Sequence, residues 1–298
     1  MRHHRGFTLI ELVVSIVIAS LIAGFIGMFV ATPMQAYFAQ TRRTDLVDSA
    51  DAVVQAFNQD VVRALPNSLR IRKVGNVWAV EMLATAGSAR YWQTGETAPA
   101  PGGAARELDF TAADASFATD GPFNNTVLSL PLKSFYLAVD NLGTAGHNAY
   151  ALSSVITPAG DAISIAGPPA AAAGENLVTL GTPFRFVQAS PTNTVYVVTQ
   201  AVSYLCDPTG HTLARYSGYT IAANQASRDS DAKLLGAGAT KSLMARFPTA
   251  CNFTLSPGTP QHGGVLSIEM TLTQSSGTIP PSSESLRVFH QVAVEGVP

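Results

Sequence analysis

From Leu12 through Thr41 the chain carries no charged residue, thirty consecutive positions in a sequence of 298. Within that stretch Leu12 to Ala31 is an apolar run broken only by Ser15 and Ser20. Twenty residues at about 1.5 Å rise span about 30 Å, the thickness of a bilayer's hydrocarbon core. The segment is therefore able to cross a membrane as one helix. Arg2 and Arg5 precede it, so the positive-inside rule places the N-terminus in the cytoplasm. Three readings compete. A cleaved secretory signal needs a small-x-small cut site after the run, and Ala31-Thr32-Pro33 is a poor one because a proline follows. A plain single-pass anchor satisfies hydropathy alone. The third reading turns on Glu11, whose carboxylate at the edge of an apolar helix costs about 2–3 kcal/mol near the bilayer centre unless it finds a partner.

The rest of the composition narrows the class. Lysine and arginine number 18 against 20 aspartate and glutamate, which speaks against a polybasic nucleic-acid coat. Apolar residues make up 47 % of the chain and the net charge is −2, a poor fit to disorder. Glycine and proline show no collagen period, and a single long apolar run excludes a polytopic membrane protein. Two cysteines allow one disulfide and no cysteine-rich zinc site.

Gly6-Phe7-Thr8-Leu9-Ile10-Glu11-Leu12 lies behind a basic leader and ahead of the apolar helix. These seven positions resemble the class III signal of type IV pilins and of type II secretion pseudopilins. The resemblance implies that a prepilin peptidase cuts between Gly6 and Phe7 on the cytoplasmic face and that the new Phe7 amino group is N-methylated. It also implies that Glu11 pairs with the free N-terminal ammonium of an adjacent subunit. Two charges in a low dielectric are tolerable only as such a pair.

Past the membrane run, Leu46, Ala50, Val53, Phe57, Val61 and Leu65 recur at steps of three and four, the face of a helix. Pro33 is expected to kink it, and Pro66-Asn67-Ser68 reads as its stop. Residues 7–64 then form a helix of roughly 87 Å, with a membrane span at about 12–31. Residues 1–6 are the leader, and 65–298 are a periplasmic globular head. The fold class expected is α+β and type IV pilin-like, a long N-terminal helix packed on a large, mostly antiparallel β head.

Beyond Pro66 the pattern alternates. Leu69–Arg72 and Val77–Met82 flank Gly75-Asn76 and read as a hairpin. Further strands are expected at Thr126–Pro131, Phe135–Val139, Leu177–Leu180, Phe184–Val187, Val195–Leu205, Val265–Thr273 and Leu286–Val294. Loops are expected at Thr94–Ala105, Ala159–Gly174 and Ser256–Gly264. Ala64–Ser68, Glu107–Phe110, Val202–Asp207 and His290–Val294 resemble the minor pilins of the mannose-sensitive haemagglutinin (MSHA) type IV pilus, of the MshO type. Cys206 and Cys251 fall on the periplasmic, oxidising side of this topology, which favours a disulfide closing about 45 residues; two buried free thiols are the alternative.

Catalytic patterns do not assemble. There is no Gly-x-Ser-x-Gly and no His-Glu-x-x-His. His147, His211, His262 and His290 lack metal-ligand spacing, and His290 reads as a hydrogen-bonded core histidine. Ser230–Lys233 lacks the companions of a Ser-x-x-Lys enzyme, and Gly236–Ser242 lacks the glycine that precedes the lysine of a phosphate loop. Asp229 and Asp231 lack the spacing of a calcium loop. The expectation is therefore a structural protein, not an enzyme, with no metal and no cofactor.

The partners expected are the prepilin peptidase, other minor and major pilins, the inner-membrane assembly platform and inner-membrane lipid. Nucleic acid is not expected, because the head is not basic. The place expected is the inner membrane in a single pass, then the pilus or cell surface. A minor pilin engaged in initiation, near the tip, is the leading reading. A J-type pseudopilin of type II secretion is the alternative. A pilus-borne adhesin whose Tyr136, Tyr196, Tyr204, Tyr216, Tyr219 and Trp92 stack on glycans is the alternative of another class.

Overall fold

The computed structural model describes residues 8–93, 107–167, 174–256, 263–275 and 283–294. One helix, α1 (Leu9–Val62), takes 54 residues and runs through Pro33 without interruption. At 1.5 Å per residue it is about 81 Å long. It ends at Arg63, whose amide donates to the Gln59 carbonyl while the Ala64 amide donates to the Val61 carbonyl, just before Pro66 removes a donor.

A β-rich head follows. Strands β1 (Arg70–Val74) and β2 (Val77–Tyr91) form the expected hairpin across Gly75, where φ is +58°. Next come β3 (Asp114–Asp120), a short helix α2 (Asn125–Leu128), β4 (Tyr136–Ala138), β5 (Ser164–Ala166) and β6 (Leu177–Phe184). Strands β7 (Thr194–Asp207) and β8 (Thr212–Tyr219), helix α3 (Asp231–Gly236) and β9 (Thr240–Arg246) complete the larger sheet and its cover. Its order is β5-β6-β3-β2-β7-β8-β9, with β1 also on β2 and β4 also on β7. Strands β10 (Pro248–Ser256), β11 (Gly264–Ser275) and β12 (Ser283–Val294) form a separate antiparallel sheet in that order.

The helix joins the two sheets. Leu46, Ala50, Val53, Phe57 and Val61 are buried in one core with Val80, Met82, Val202 and Tyr204 from the larger sheet. Phe253, Leu266, Ile268, Met270 and Leu272 from the smaller sheet complete it. Alternation on β2 and β7 turns Ala79, Leu83, Ala201 and Leu205 to the opposite face, where Tyr150, Tyr216, Tyr219 and Leu234 cover them. A third core, around Phe117, Leu137, Val178 and Phe186, fills the end of the head bearing β3, β4 and β6.

The chain passes between the sheets at Phe247, which adopts φ +66°. Its amide donates to the His211 carbonyl beside the larger sheet, and its carbonyl accepts from Thr273 in the smaller one. One residue thus hydrogen-bonds to both sheets, at the cost of a backbone conformation rare for a bulky side chain.

Several expectations need correction. Thr126–Pro131 is no strand: Asn124 Oδ1 accepts from the Val127 amide, and that cap starts α2 instead. Phe184–Val187 is not a separate strand, because β6 already reaches Phe184 and the ladder stops there. The loop expected at Ala159–Gly174 contains β5, a three-residue edge strand on β6. Residues 94–105 and 170–173 and most of the Ser256–Gly264 loop lie outside the described residues. Strands β3, β8, β9 and β10 carried no clean alternation; on β8, Leu213, Ala214, Tyr216 and Tyr219 are all buried, so both of its faces are covered.

Candidate assembly site

The N-terminal end of α1 is built by Thr8 and Glu11. Thr8 is extended and caps the helix, its Oγ1 accepting from the Glu11 amide at 3.3 Å. Glu11 answers: its Oε2 accepts from the Thr8 amide at 3.2 Å and from Thr8 Oγ1 at 3.0 Å. This reciprocal box satisfies two orphan donors of the first turn and gives the carboxylate its first partner within its own chain. Sequence reasoning looked for that partner only in another subunit, although Thr8-x-x-Glu11 is itself the capping pattern. Gly6 and Phe7 lie outside the described residues.

Beyond the cap, Leu12, Ile16, Leu21, Phe25, Met28 and Phe29 are all exposed, on every side of the helix. An apolar surface of this kind is stable only against lipid or other apolar helices. Ser15 and Ser20 do not interrupt it, because their hydroxyls donate to the Glu11 and Ile16 carbonyls one turn back. Among the described residues this is the one helix long and apolar enough to cross a membrane.

The second half of α1 is fixed to the head by polar as well as apolar contacts. Asp60 Oδ2 accepts from Arg215 Nε at 2.6 Å and from the Tyr204 hydroxyl at 2.6 Å. Burial and this carboxylate together push the Tyr204 hydroxyl far above the usual tyrosine range. The same carboxylate raises the Arg215 guanidinium further still. The Phe57 ring stands edge-on to Tyr204 at 5.0 Å between centroids.

Cys206 on β7 and Cys251 on β10 form a disulfide with Cα atoms 6.4 Å apart, tying the two sheets together. On the far face of the larger sheet Glu81 is wholly buried and pairs with Arg70, whose guanidinium also lies 3.5 Å over the Tyr150 ring. Burial raises the Glu81 carboxyl above its ordinary range, against the opposing pull of Arg70.

The remaining candidates for chemistry have structural work. Asp229 accepts from Arg72 Nε at 2.8 Å and Lys233 Nζ at 2.6 Å. Asp231 accepts from Lys241 Nζ at 2.8 Å and from the Tyr216 hydroxyl. Gly236–Ser242 is the end of α3 and the start of β9. His290 corrects its expectation: it lies on the inner face of β12, yet its buried Nε2 has no hydrogen-bond partner among the described residues. His262 lies outside them. Tyr204, Tyr216 and Tyr219 are buried and offer no ring face to a ligand, while Tyr136, Tyr196 and Trp92 are half-buried.

An exposed apolar helix that carries a disulfide-bonded β head fits a membrane-anchored, single-pass protein. Residues 1–27 match the family model described as the prokaryotic N-terminal methylation motif. No curated protein and no solved structure matches the chain. Motif, helix and head together support a type IV pilin-like protein, structural in character.

Proposed function

We propose that this chain is a minor pilin of an MSHA-like type IV pilus, acting in filament initiation in few copies near the tip. The observation that carries this reading is the prepilin-type motif set directly on a helix whose apolar half is exposed on all sides. Such a helix is stored in lipid and then transferred to a bundle of like helices without exposure to water. The prepilin peptidase removes residues 1–6, cutting between Gly6 and Phe7, and Phe7 is N-methylated. Glu11 then exchanges its hydrogen bonds to Thr8 for the Phe7 ammonium of a neighbouring subunit, an ion pair in place of bonds from neutral donors to the same carboxylate. The head stands in the periplasm, and the bulk of two sheets favours an end position over repeated packing along a shaft. Other pilins and the inner-membrane platform are its partners.

Mass spectrometry of the mature N-terminus tests this reading. N-methylated Phe7 as the first residue is the expected result, and retention of Met1 in cells with an active prepilin peptidase overturns it. Co-purification from such cells separates pilus from secretion membership. Pilus subunits support the minor pilin, whereas secretion subunits make the chain a J-type pseudopilin.

A further inference from the structure

Strand β2 loses its register on β7 twice within three residues, between Ala84 and Thr85 and again between Thr85 and Gly87. Bulges of this kind bend a strand and re-aim its side chains, and they gather beside binding sites. Here the bend meets the end of α1 and the start of α2. A cleft of about 390 Å³ opens between them, walled by Arg63, Thr85, Ser88, Asn124, Thr126 and Tyr196. That volume is in the range of small-ligand sites. The walls are pinned in advance. The Thr85 amide and Oγ1 both donate to the Arg63 carbonyl, at 2.9 and 2.8 Å. Asn124 Nδ2 donates to the Ala86 carbonyl at 3.0 Å, and its Oδ1 accepts from the Val127 amide. Asn124 presses so close to β2 that a Cβ on Gly87 would stand 2.5 Å from its Nδ2. Walls already ordered cost a ligand no ordering entropy.

The charge in this cleft is unbalanced. Arg63 is exposed, and its guanidinium has no ion pair and no hydrogen bond among the described residues. No carboxylate is in the wall, and Asp60, one turn earlier on α1, is held by Arg215. Ser88 and Thr126 are exposed beside the cation, and Tyr196 is the one aromatic residue of the wall. A guanidinium fork matches a carboxylate charge for charge, in two parallel hydrogen bonds. A phosphate carries up to two charges and would leave one unmatched. Hydroxyl residues flanking the fork suit a ligand that itself bears hydroxyls, and a tyrosine gives its ring an apolar surface. The cleft also lies at the end of α1 furthest from the apolar run, about 48 Å along the helix from Ala31.

We propose that this cleft binds a carboxylated sugar of the uronic-acid class. Arg63 takes the carboxylate, and Ser88 and Thr126 take ring hydroxyls. The site gives the head a ligand of its own, and it stands whether the filament is a pilus or a pseudopilus.

The test titrates the full chain in detergent with glucuronic acid, read by ligand-observed NMR. Saturable binding in the millimolar range is expected for a single sugar. Arg63→Gln should weaken it about tenfold, the loss of hydrogen bonds to a charged group. Arg63→Lys should keep part of it, because the charge stays while the fork goes. Thr126→Val should weaken it about two- to tenfold, the range of a neutral hydrogen bond. The Arg63 side chain makes no polar contact within the head, so the thermal midpoint should be the same in both Arg63 variants. No saturable binding of glucuronic acid, or binding undiminished in Arg63→Gln, overturns the site. Equal binding of acetate or inorganic phosphate overturns the sugar, and equal binding of galactose overturns the carboxylate. The mature N-terminus is read separately, so the pilin reading stands or falls apart from these results.

Discussion

Arg215 on β8 holds Asp60 of α1 in a two-point grip, Nε to Oδ2 at 2.6 Å and Nη2 to Oδ1 at 3.1 Å. This is where the last turn of the long helix becomes part of the β head. The geometry is bidentate and both groups are largely covered, so it outweighs an ordinary surface pair.

Arg215→Met leaves Asp60 with only the Tyr204 hydroxyl. The loss should destabilise the head by about 1–3 kcal/mol, the range for hydrogen bonds to charged groups. Thermal unfolding of the full chain in detergent measures it. An unchanged midpoint would show that apolar packing alone seats the helix.

Glu81 predicts a pH dependence. Its folded carboxyl is raised above 4.5, burial being the largest cause, so the folded state holds this proton more tightly than the unfolded state. The stabilising contribution of that proton is complete below the unfolded value and is lost as pH rises through the raised folded value. Arg70, Tyr219, Arg228 and Tyr150 are the charged and titratable groups that face it. Glu81→Gln mimics the protonated form. The stability of the native chain relative to that variant should therefore be greatest at acid pH and fall towards neutrality. Denaturant unfolding across pH 4.5 and above checks the sign, and a flat difference would contradict it.

Gly143 adopts φ +71°, and a Cβ there would lie 2.8 Å from the Asn67 carbonyl oxygen. Backbone cannot move aside as a side chain can. Gly143→Ala should cost about 1–3 kcal/mol, by strain and overpacking together. It should also loosen the knot in which Asn141 Nδ2 donates to the Pro66 carbonyl at 2.6 Å and Asn67 Nδ2 to the Asn141 carbonyl at 3.0 Å. Gly146→Ala, with φ +83° but open space around it, should cost less. Calorimetry on the pair of variants separates the clash from the conformational penalty.

Reduction of Cys206–Cys251 opens a loop of 45 residues and removes the covalent tie between the sheets. Stability should fall by about 3–4 kcal/mol by loop entropy. Hydrogen exchange should accelerate most in β10–β12 and in the Leu46–Val61 face of α1, which those strands cover. Equal acceleration in β3 and β6, whose core is separate, would argue against the sheets as distinct units.

Much of the head's local order was legible in the chain. The step pattern from Leu46 to Val61 identified the buried face of α1, and every one of those residues is in the core. Gly75-Asn76 marked the β1–β2 turn. The alternation of Leu266, Ile268, Met270 and Leu272 marked β11, because one of its faces is sealed and the other carries Ser267, Glu269, Thr271 and Thr273. Where both faces are covered, as on β8, the alternation vanishes and the strand was missed. At Thr126 the β-branched residues suggested a strand, but a single side-chain cap from Asn124 decided for a helical turn.

The sequence by itself determined the anchor, the prepilin-type start and the helix face that meets the head, because each is a local pattern set by burial along one element. Which strands become neighbours was decided only in three dimensions. The pairing of β2 with β7, the passage between sheets at Phe247 and the meeting of Asp60 with Arg215, 155 residues away, depend on long-range closure. Periodicity reports how a residue is buried and is silent about what buries it, so the partner surfaces of this head became visible only with the fold.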